Sequence, residues 1–294
     1  MLAIRPAGIY VDATFGRGGH SAAILERLGP GGRLYAIDRD PEAIASGSAR
    51  FGDDARLHLL RGSFASLESL LEQAGLTQRV DGILLDLGVS SPQLDDPQRG
   101  FSFLRDGPLD MRMDPEAGPS AAEWLADAGE RDIADVIFRY GEERRARRVA
   151  RAIVQARAEQ PIRSTVQLAE LVARVLPVPR GGKHPATRVF QALRIHVNGE
   201  LDALEAALPQ CVELLAGGGR LACISFHSLE DRIVKRYLRA RSQLDPRLAK
   251  LPAVPSDQQP ALRVIGRGTR PSDAEIGGNP RARSAVLRAA ERLS

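Results

Sequence analysis

The feature that most constrains the fold is a repeated pairing of short apolar runs with helical segments in the first hundred residues. The runs are "GIYVDAT", "GRLYAID", "ARLHLLRG" and "VDGILLDLG". The first three precede predicted helices near Ser21–Leu28, from Pro41, and over Leu67–Gln73. Apolar runs bounded by turn residues and separated by helices are typical of buried parallel strands with crossover helices. The sequence therefore predicts an α/β fold.

The middle of the chain has a different pattern. Residues from about Gly107 to Gly182 are helical and charged, and another strand-like run, "GGGRLACISF", returns only near Arg220. Two last strands are predicted in "LRVIGRGTRP" and "RARSAVLRAAE", joined by a loop. A chain of 294 residues is long enough for one domain with an insertion. We predict a discontinuous α/β domain of residues 1–106 and 197–294, and a helical insertion of residues 107–196.

Composition limits the cellular context and the partners. The chain shows no export signal and no long uncharged apolar segment, so we expect a cytoplasmic protein that does not enter a membrane. Cys211 and Cys223 both lie in apolar stretches and are predicted to be buried thiols, and no zinc-ligand spacing occurs, so no metal is predicted. Arginine supplies nearly all the positive charge. That bias suits phosphate binding, although codon usage would explain it equally well.

A glycine-rich turn, Gly16-Arg17-Gly18-Gly19, follows the first predicted strand, and Asp38 ends the second. Parallel α/β sheets bind ligands at the carboxyl ends of their strands, and a carboxylate about 20 residues after such a turn accepts hydrogen bonds from ribose hydroxyls. This arrangement indicates an adenosine-containing ligand. It serves a dinucleotide and S-adenosyl-L-methionine alike.

Three further residues favour the second ligand. Ser21 stands where the dinucleotide fingerprint has its third glycine, while Asp12 and Asp86 would repel a diphosphate and attract a cationic ligand. We therefore favour S-adenosyl-L-methionine as the cofactor. An NAD-dependent oxidoreductase is the less favoured alternative, and helix capping is the structural alternative for the aspartates.

Several long motifs carry a family resemblance. They are "VDATFGRGGHS", "AIDRDPEAI", "ILLDLGVSSPQLDDPQRGFSF", "DGPLDMRMD", "VFRYGEERRARRVARAIV", "HPATRVFQALRIHVNGEL", "GRLACISFHSLEDRIVKRYL" and "NPRARSAVLRAAER". Together they resemble the bacterial RsmH (MraW) family almost from end to end. The family's usual opening segment, H-x-P-V-L-L-x-E, is absent ahead of "YVDATFG", and its loss would expose the cofactor pocket.

The resemblance implies a Rossmann-like class I methyltransferase sheet with an inserted helical domain. It implies S-adenosyl-L-methionine-dependent methylation of the exocyclic N4 of a cytidine in the decoding region of 16S rRNA, with the small ribosomal subunit as partner. The alternative is a non-catalytic RNA-binding or assembly factor of the same fold. Homodimer formation stays open. The implied cofactor contacts are Gly18, Gly19, His20, Asp38, Phe64, Asp86 and Gln93.

The loop after the fourth strand is the candidate catalytic element. Ser90-Ser91-Pro92 resembles the D/S-P-P-Y/F loop of amino-group methyltransferases, with Gln93 in place of its aromatic residue. A hydroxyl and a backbone carbonyl there would accept hydrogens from the amine, and the alternative is an ordinary turn. Phe101 or Phe103 would stack on the flipped-out base.

Most of the further candidate RNA contacts lie in the predicted insertion, and Asn198 lies just after it. Thr187, Gln191, Arg194 and Asn198 share one helical face, which we expect to face RNA, with solvent as the alternative. Arg188 lies in the same motif. Arg144 and Arg148 belong to the arginine-rich run "EERRARRVARAIVQAR", which suits phosphate but would also suit a solvated face. Structural roles are expected for His20 and His227, with a capping box over Ser228–Asp231, and the alternative for both histidines is a general base. N-capping is expected for Asp106, Asp110 and Asp114, with acceptance of an amine proton or cation binding as the alternatives.

Overall fold

The computed structural model describes residues 1–177, 184–244 and 259–294, and these ranges fall into two compact units. The first, here called the sheet unit, comprises Met1–Gly88 and Leu201–Ser294. The second, the helical unit, comprises Val89–Glu200. No helix in the described ranges is both long enough and apolar enough to cross a membrane.

The sheet unit is built on a seven-stranded sheet in the order β3-β2-β1-β4-β5-β7-β6. The first five strands are parallel, and β7 pairs antiparallel with both β5 and β6. The strand order reverses between β1 and β4, which is the position where open α/β sheets bind ligands. This architecture confirms the predicted α/β class. The strands are β1 (Ile9–Asp12), β2 (Arg33–Asp38), β3 (Leu57–Arg61), β4 (Val80–Asp86), β5 (Leu215–Ser225), β6 (Leu262–Thr269) and β7 (Val286–Arg292).

The helices follow the predicted order, with differences at their ends. The first begins at Gly19 rather than Ser21, and the connection between the last two strands contains a short helix as well as loop. The α-helices are α1 (Gly19–Leu25), α2 (Pro41–Phe51), α3 (Leu67–Gln73), α4 (Ser91–Asp95), α5 (Ala121–Asp127), α6 (Glu130–Gly141), α7 (Ala146–Glu159), α8 (Thr165–Val175), α9 (Ala186–Asn198), α10 (Glu200–Leu214), α11 (Ser228–Ser242) and α12 (Asp273–Gly278). Short 3₁₀ helices span Phe64–Ser66, Pro97–Arg99 and Pro280–Ser284.

The central strands of the sheet are buried, as their apolar sequences require. Val11, Ile37 and Leu85 are fully buried and belong to one apolar cluster. Cys211 and Cys223 are free, buried thiols in that cluster, and burial raises the pKa of Cys211 to about 12. Such thiols are not ionised at neutral pH, so they act as core residues.

The helical unit begins earlier in the chain than the predicted insertion does. Phe101, Leu109 and Met111 are buried in the core of this unit, packed with residues of α6, α7 and α9. The segment also folds closely on itself, since a Cβ on Gly100 would lie 2.4 Å from the carbonyl oxygen of Pro108. Because these residues supply core contacts, the compact unit starts at Val89 rather than Gly107 and ends at Glu200 rather than residue 196. Residues 178–183 of the predicted insertion lie outside the described ranges.

Candidate cofactor site and RNA-binding residues

Three neighbouring strands end in aspartate at the same edge of the sheet. β1 lies between β2 and β4, and these strands end in Asp12, Asp38 and Asp86. The glycine-rich turn follows β1 directly, and its Gly16 and Gly18 have φ angles of 56° and 72°. Glycine adopts this left-handed conformation without strain, so the turn brings backbone close to the carboxylates. The fold thus brings together the acidic residues and glycines that the sequence predicted for the cofactor.

Asp12 is fully buried beneath the turn. Its carboxylate accepts a hydrogen bond of 2.7 Å from the Ser21 hydroxyl and one of 3.3 Å from the Thr14 N–H. Burial raises the pKa of Asp12 to about 6, although the hydrogen bond from Ser21 opposes that effect. Ser21 stands where the dinucleotide fingerprint has its third glycine, and its hydroxyl is a hydrogen-bond partner for the buried Asp12.

Asp38 shapes the turn from the end of β2. Its Oδ2 accepts the Gly16 N–H at 2.7 Å, and its Oδ1 accepts the Asp40 N–H at 2.9 Å. Burial raises the pKa of this carboxyl, and the two backbone donors oppose the shift. Each carboxylate oxygen has more than one lone pair, so both can accept a further donor such as a ribose hydroxyl.

The Asp86 side chain is 30% exposed, whereas Asp12 is fully buried. The His20 Nε2 lies 3.3 Å from its Oδ2, and hydrogen bonding to Asp86 raises the pKa of His20. The other oxygen, Oδ1, is buried and has no hydrogen-bond partner in the described ranges. A buried acceptor without a donor is costly, so this oxygen suits a ligand that brings a donor or a positive charge. The site therefore fits S-adenosyl-L-methionine.

The ring of His20 has a larger role than its sequence position suggested, because it pairs with Asp86. Thr14, which the sequence did not single out, accepts the Asp86 N–H through its hydroxyl at 2.7 Å. The sequence feature that could have identified Thr14 is its position inside "DATFG", between Asp12 and the glycine turn.

Phe64 lies in a 3₁₀ helix after β3, half-buried against the apolar core of the sheet unit.

The predicted catalytic loop forms the start of α4 in the helical unit. Ser90 and Gln93 form a capping box, in which the Ser90 N–H donates to Gln93 Oε1 at 2.9 Å. The Ser90 carbonyl oxygen accepts the Leu94 N–H at 3.3 Å. Gln93 is buried, whereas Ser91 is exposed and Pro92 half-buried in the first turn. Ser91 is therefore the most accessible hydroxyl of this loop.

The two candidate stacking residues have different surroundings. Phe101 is 7% exposed in the core of the helical unit. Phe103 is half-buried, with its ring 4.8 Å from Phe190 and 4.9 Å from His184. Since a ring within the core has no open face, this geometry favours Phe103 over Phe101 as the residue that stacks on a base.

Two residues on the polar face of α9 contact protein groups, contrary to the prediction that this face contacts RNA. Asn198 accepts the Met113 N–H at 2.8 Å and donates to the carbonyl oxygens of Met111 and Arg194 at 2.7 and 2.9 Å. Arg194 forms a bidentate pair with Glu200 at 2.8 and 2.9 Å. These buried polar groups hold the helical unit together, so we withdraw Arg194 and Asn198 as RNA contacts.

The arginine-rich run has the exposure that phosphate binding needs. Arg144, Arg148 and Arg188 are exposed, and the nearest acidic partner of Arg188 is Glu143, at 3.7 Å. Phe138 of α6, which the sequence did not single out, lies shortly before this run and is 59% exposed.

His227 has the structural role expected of it, but the capping box starts one residue earlier than predicted. His227 caps α11, and Glu230 completes the box by accepting the His227 N–H at 3.3 Å. Glu230 also accepts the Phe226 N–H at 2.8 Å. Asp110 pairs with Arg112, and Asp106 accepts the N–H of Val166 at the start of α8. These acids serve local structure.

Comparison with known proteins places the chain in a family. The sequence profile of the MraW methylase family matches residues 1–293. "Ribosomal RNA small subunit methyltransferase H" of Thioalkalivibrio sulfidiphilus is 60% identical over 100% of this chain and 94% of its own length. The protein of the same name from Thiobacillus denitrificans is 59% identical over 100% and 94%.

Among solved structures, a "rRNA Methylase" from Streptococcus thermophilus aligns with 99% of this chain and 90% of its own, at 13% identity and a TM-score of 0.43. The assignment rests on the sequence matches, which span nearly the whole of both chains. The chain belongs to the MraW methylase family.

Proposed function

We propose that the protein methylates the small-subunit ribosomal RNA, at the exocyclic N4 of a cytidine in the decoding region of 16S rRNA, with S-adenosyl-L-methionine as the methyl donor. The observation that carries the proposal is the acidic edge of the sheet around the glycine turn, in a chain of the methylase family. The names of its relatives support the ribosomal substrate. Bacterial small subunits are in the cytoplasm, where we expect the protein to act.

In this proposal the cofactor supplies an electrophilic methyl group when it is bound. Asp38 would accept the ribose hydroxyls, and the Gly18–Gly19 backbone would permit close approach of the cofactor. Asp86 and His20 would hold its positively charged part, and Phe64 would line the adenine pocket. Asp12 supports the turn from beneath, since its carboxylate is fully buried.

The amine of cytosine is a weak nucleophile, because its lone pair is delocalised into the ring. Holding it in line with the methyl group supplies the larger part of the catalysis. Acceptors placed where positive charge develops on N4 supply the rest. Ser91 is the favoured hydroxyl acceptor, because Ser90 already serves the first turn of α4. Phe103 would stack on the extruded base.

Arg144, Arg148 and Arg188 are proposed to bind RNA phosphates. All three are exposed cationic side chains of the helical unit. Contacts of this kind position the nucleic acid and carry little sequence information. The target base would then be selected by the contacts made to the base itself, such as stacking on Phe103.

Mass spectrometry of rRNA nucleosides tests the proposal. Small subunits from a strain that lacks this methyltransferase are incubated with the protein and S-adenosyl-L-methionine, and N4-methylated cytidine is expected to appear. A methyl group at another base would refute the N4 assignment. Cofactor binding without any methyl transfer would favour the non-catalytic RNA-binding alternative, and calorimetric binding of NAD alone would favour an oxidoreductase.

A further inference from the structure

A groove of about 260 Å³ lies between α11 and the edge strand β6, within the sheet unit. Leu238, Ile265 and Ala289 give it an apolar lining. The charged side chains that line it in the described part of the chain are all cationic: Lys235, Arg239, Arg267 and Arg288. No acidic residue lines the groove there, so it is electropositive.

The positive charge is only partly neutralised. Arg288 pairs with Asp231 through contacts of 2.7 and 3.0 Å. Arg239 donates to the neutral Gln243 at 3.2 Å. Within the described ranges Lys235 and Arg267 form no ion pair, and both are exposed. At least three cationic groups of the groove therefore lack an acidic partner in these ranges.

The nearby carboxylate of Glu291 pairs with arginines other than those that line the groove. Glu291 of β7 accepts from Arg220 at 3.1 Å and from Arg263 at 2.5 Å, which lowers the pKa of its carboxyl. That carboxylate is thus committed to two other arginines. Since charges near a surface are screened over about 10 Å at 0.1 M salt, the groove attracts anions mainly at close range.

The edge strand is irregular at the groove. The pairing of β6 with β7 is regular up to Ile265 and resumes at Thr269, so Gly266, Arg267 and Gly268 lie opposite Arg288 alone. Gly266 has a φ of 67°, and a Cβ on Gly268 would lie 3.1 Å from the Arg288 guanidinium carbon. Bulges of this kind redirect side chains at sheet edges, and here the bulge carries Arg267 at its centre.

We propose that this groove binds the phosphate backbone of the RNA substrate, as a contact surface in addition to the arginines of the helical unit. The inference rests on the proposed function, because it needs RNA as the partner. A cationic rim over an apolar lining suits a sugar–phosphate chain, whose phosphates bind the arginines while its sugars lie on apolar atoms. An acidic protein segment is the competing occupant.

A pair of matched double variants tests the proposal. R239Q/R267Q removes two cations from the groove, and R27Q/R33Q removes two exposed cations from elsewhere in the sheet unit. Fluorescence anisotropy with a 16S rRNA fragment is measured from 50 to 300 mM salt (roughly the range over which phosphate contacts dominate). The groove variant should bind about tenfold more weakly and lose about one unit of salt slope for each contact removed.

The control variant should bind RNA almost as the wild type does, and both variants should keep the wild-type Tm and cofactor affinity. Equal weakening by the two variants, or no weakening by the groove variant, would overturn the proposal. The latter result is also what an acidic protein partner predicts. If the wild-type chain itself binds no rRNA, the proposed function fails. If the wild type binds rRNA and the groove variant binds it equally well, only the groove proposal fails.

Discussion

The three aspartates at the edge of the sheet look equivalent in the sequence but differ in the structure. Asp12 is fully buried and bonded to Ser21, and Asp38 holds the glycine turn. Asp86 has one oxygen near His20 and one that receives no hydrogen bond from the residues that the structure describes. The positions of the three aspartates at strand ends could be predicted from apolar runs. The raised pKa values of Asp12 and Asp38 could not be predicted in this way, because they depend on burial and on donors from other segments.

Replacement of Asp38 should weaken cofactor binding without unfolding the protein. Asp38→Ala removes the ribose acceptors, and we expect a loss of about 1.5–3 kcal/mol in binding free energy by calorimetry. Asp53→Ala, which removes an exposed carboxylate from the same unit, should leave the affinity unchanged. Asp38→Asn keeps one acceptor for the Gly16 N–H and should fall between them. An unaltered affinity in Asp38→Ala would mean that the cofactor binds elsewhere.

Asp12 should make the stability of the fold depend on pH. Its pKa rises from 3.8 to about 6 on folding, so between these values the folded chain binds more protons than the unfolded chain. The free energy of unfolding should therefore fall as the pH rises from 4 to 6, by at most about 3 kcal/mol. Urea denaturation at several pH values measures this slope.

The Asp12→Asn variant supplies the control, since it keeps an acceptor for Ser21 and cannot ionise. Its unfolding free energy should change less over the same range. His20 also lowers the unfolding free energy as the pH rises, but at higher pH. Its pKa is raised above the ordinary 6.5, and the stability it contributes is lost as the pH rises through that raised value. Parallel slopes for wild type and variant would show that Asp12 is not the group responsible.

At the scale of elements, α9 could be predicted as a helix, but the partners of its polar side chains could not. The helix could be predicted from its sequence, and its side chains Val189, Phe190 and Leu193 are buried in the structure. Spacing also identified a polar face but could not show what faces it. Arg194 and Asn198 contact Glu200 and the backbone of residues 111–113, which are partners distant in sequence or beyond the helix end.

Asn198→Ala should therefore destabilise the fold rather than RNA binding. The change leaves the buried Met113 N–H and the Met111 carbonyl oxygen without their partner, at a cost of about 1–3 kcal/mol for each unsatisfied group. Thr187→Ala, on the same helical face, should change the unfolding free energy by no more than about 0.5 kcal/mol. Chemical denaturation measures both. A variant of normal stability with lost RNA affinity would restore Asn198 as an RNA contact.

At the scale of the molecule, the sequence predicted the α/β class, the insertion and the acidic edge, because each depends on local pattern. The boundary of the insertion was not predictable in this way. Phe101, Leu109 and Met111 are scattered apolar residues in a loop-like segment, and only the folded chain shows that they pack with α6, α7 and α9. Whether a loop residue belongs to the core depends on its tertiary contacts, and these leave no periodic pattern in the sequence.

The aspartates proposed to bind the cofactor and the arginines proposed to bind RNA at Arg144 and Arg148 lie in different compact units, which makes a prediction for these two arginines. Both belong to the helical unit, whereas the aspartates and the glycine turn belong to the sheet unit. R144Q/R148Q should raise the KM for small subunits and lower kcat/KM, since phosphate contacts hold the RNA before and during reaction. Calorimetric affinity for S-adenosyl-L-methionine should stay at the wild-type value.

R163Q/R174Q is the matched control, because it removes two exposed arginines from the same unit and leaves the net charge equal to that of the test variant. Its KM should be close to that of the wild type. If both variants raise KM equally, general charge attraction explains the effect and the arginine run has no special position. If R144Q/R148Q lowers kcat alone, the run acts on the chemical step and the assignment of these arginines to phosphate binding is wrong.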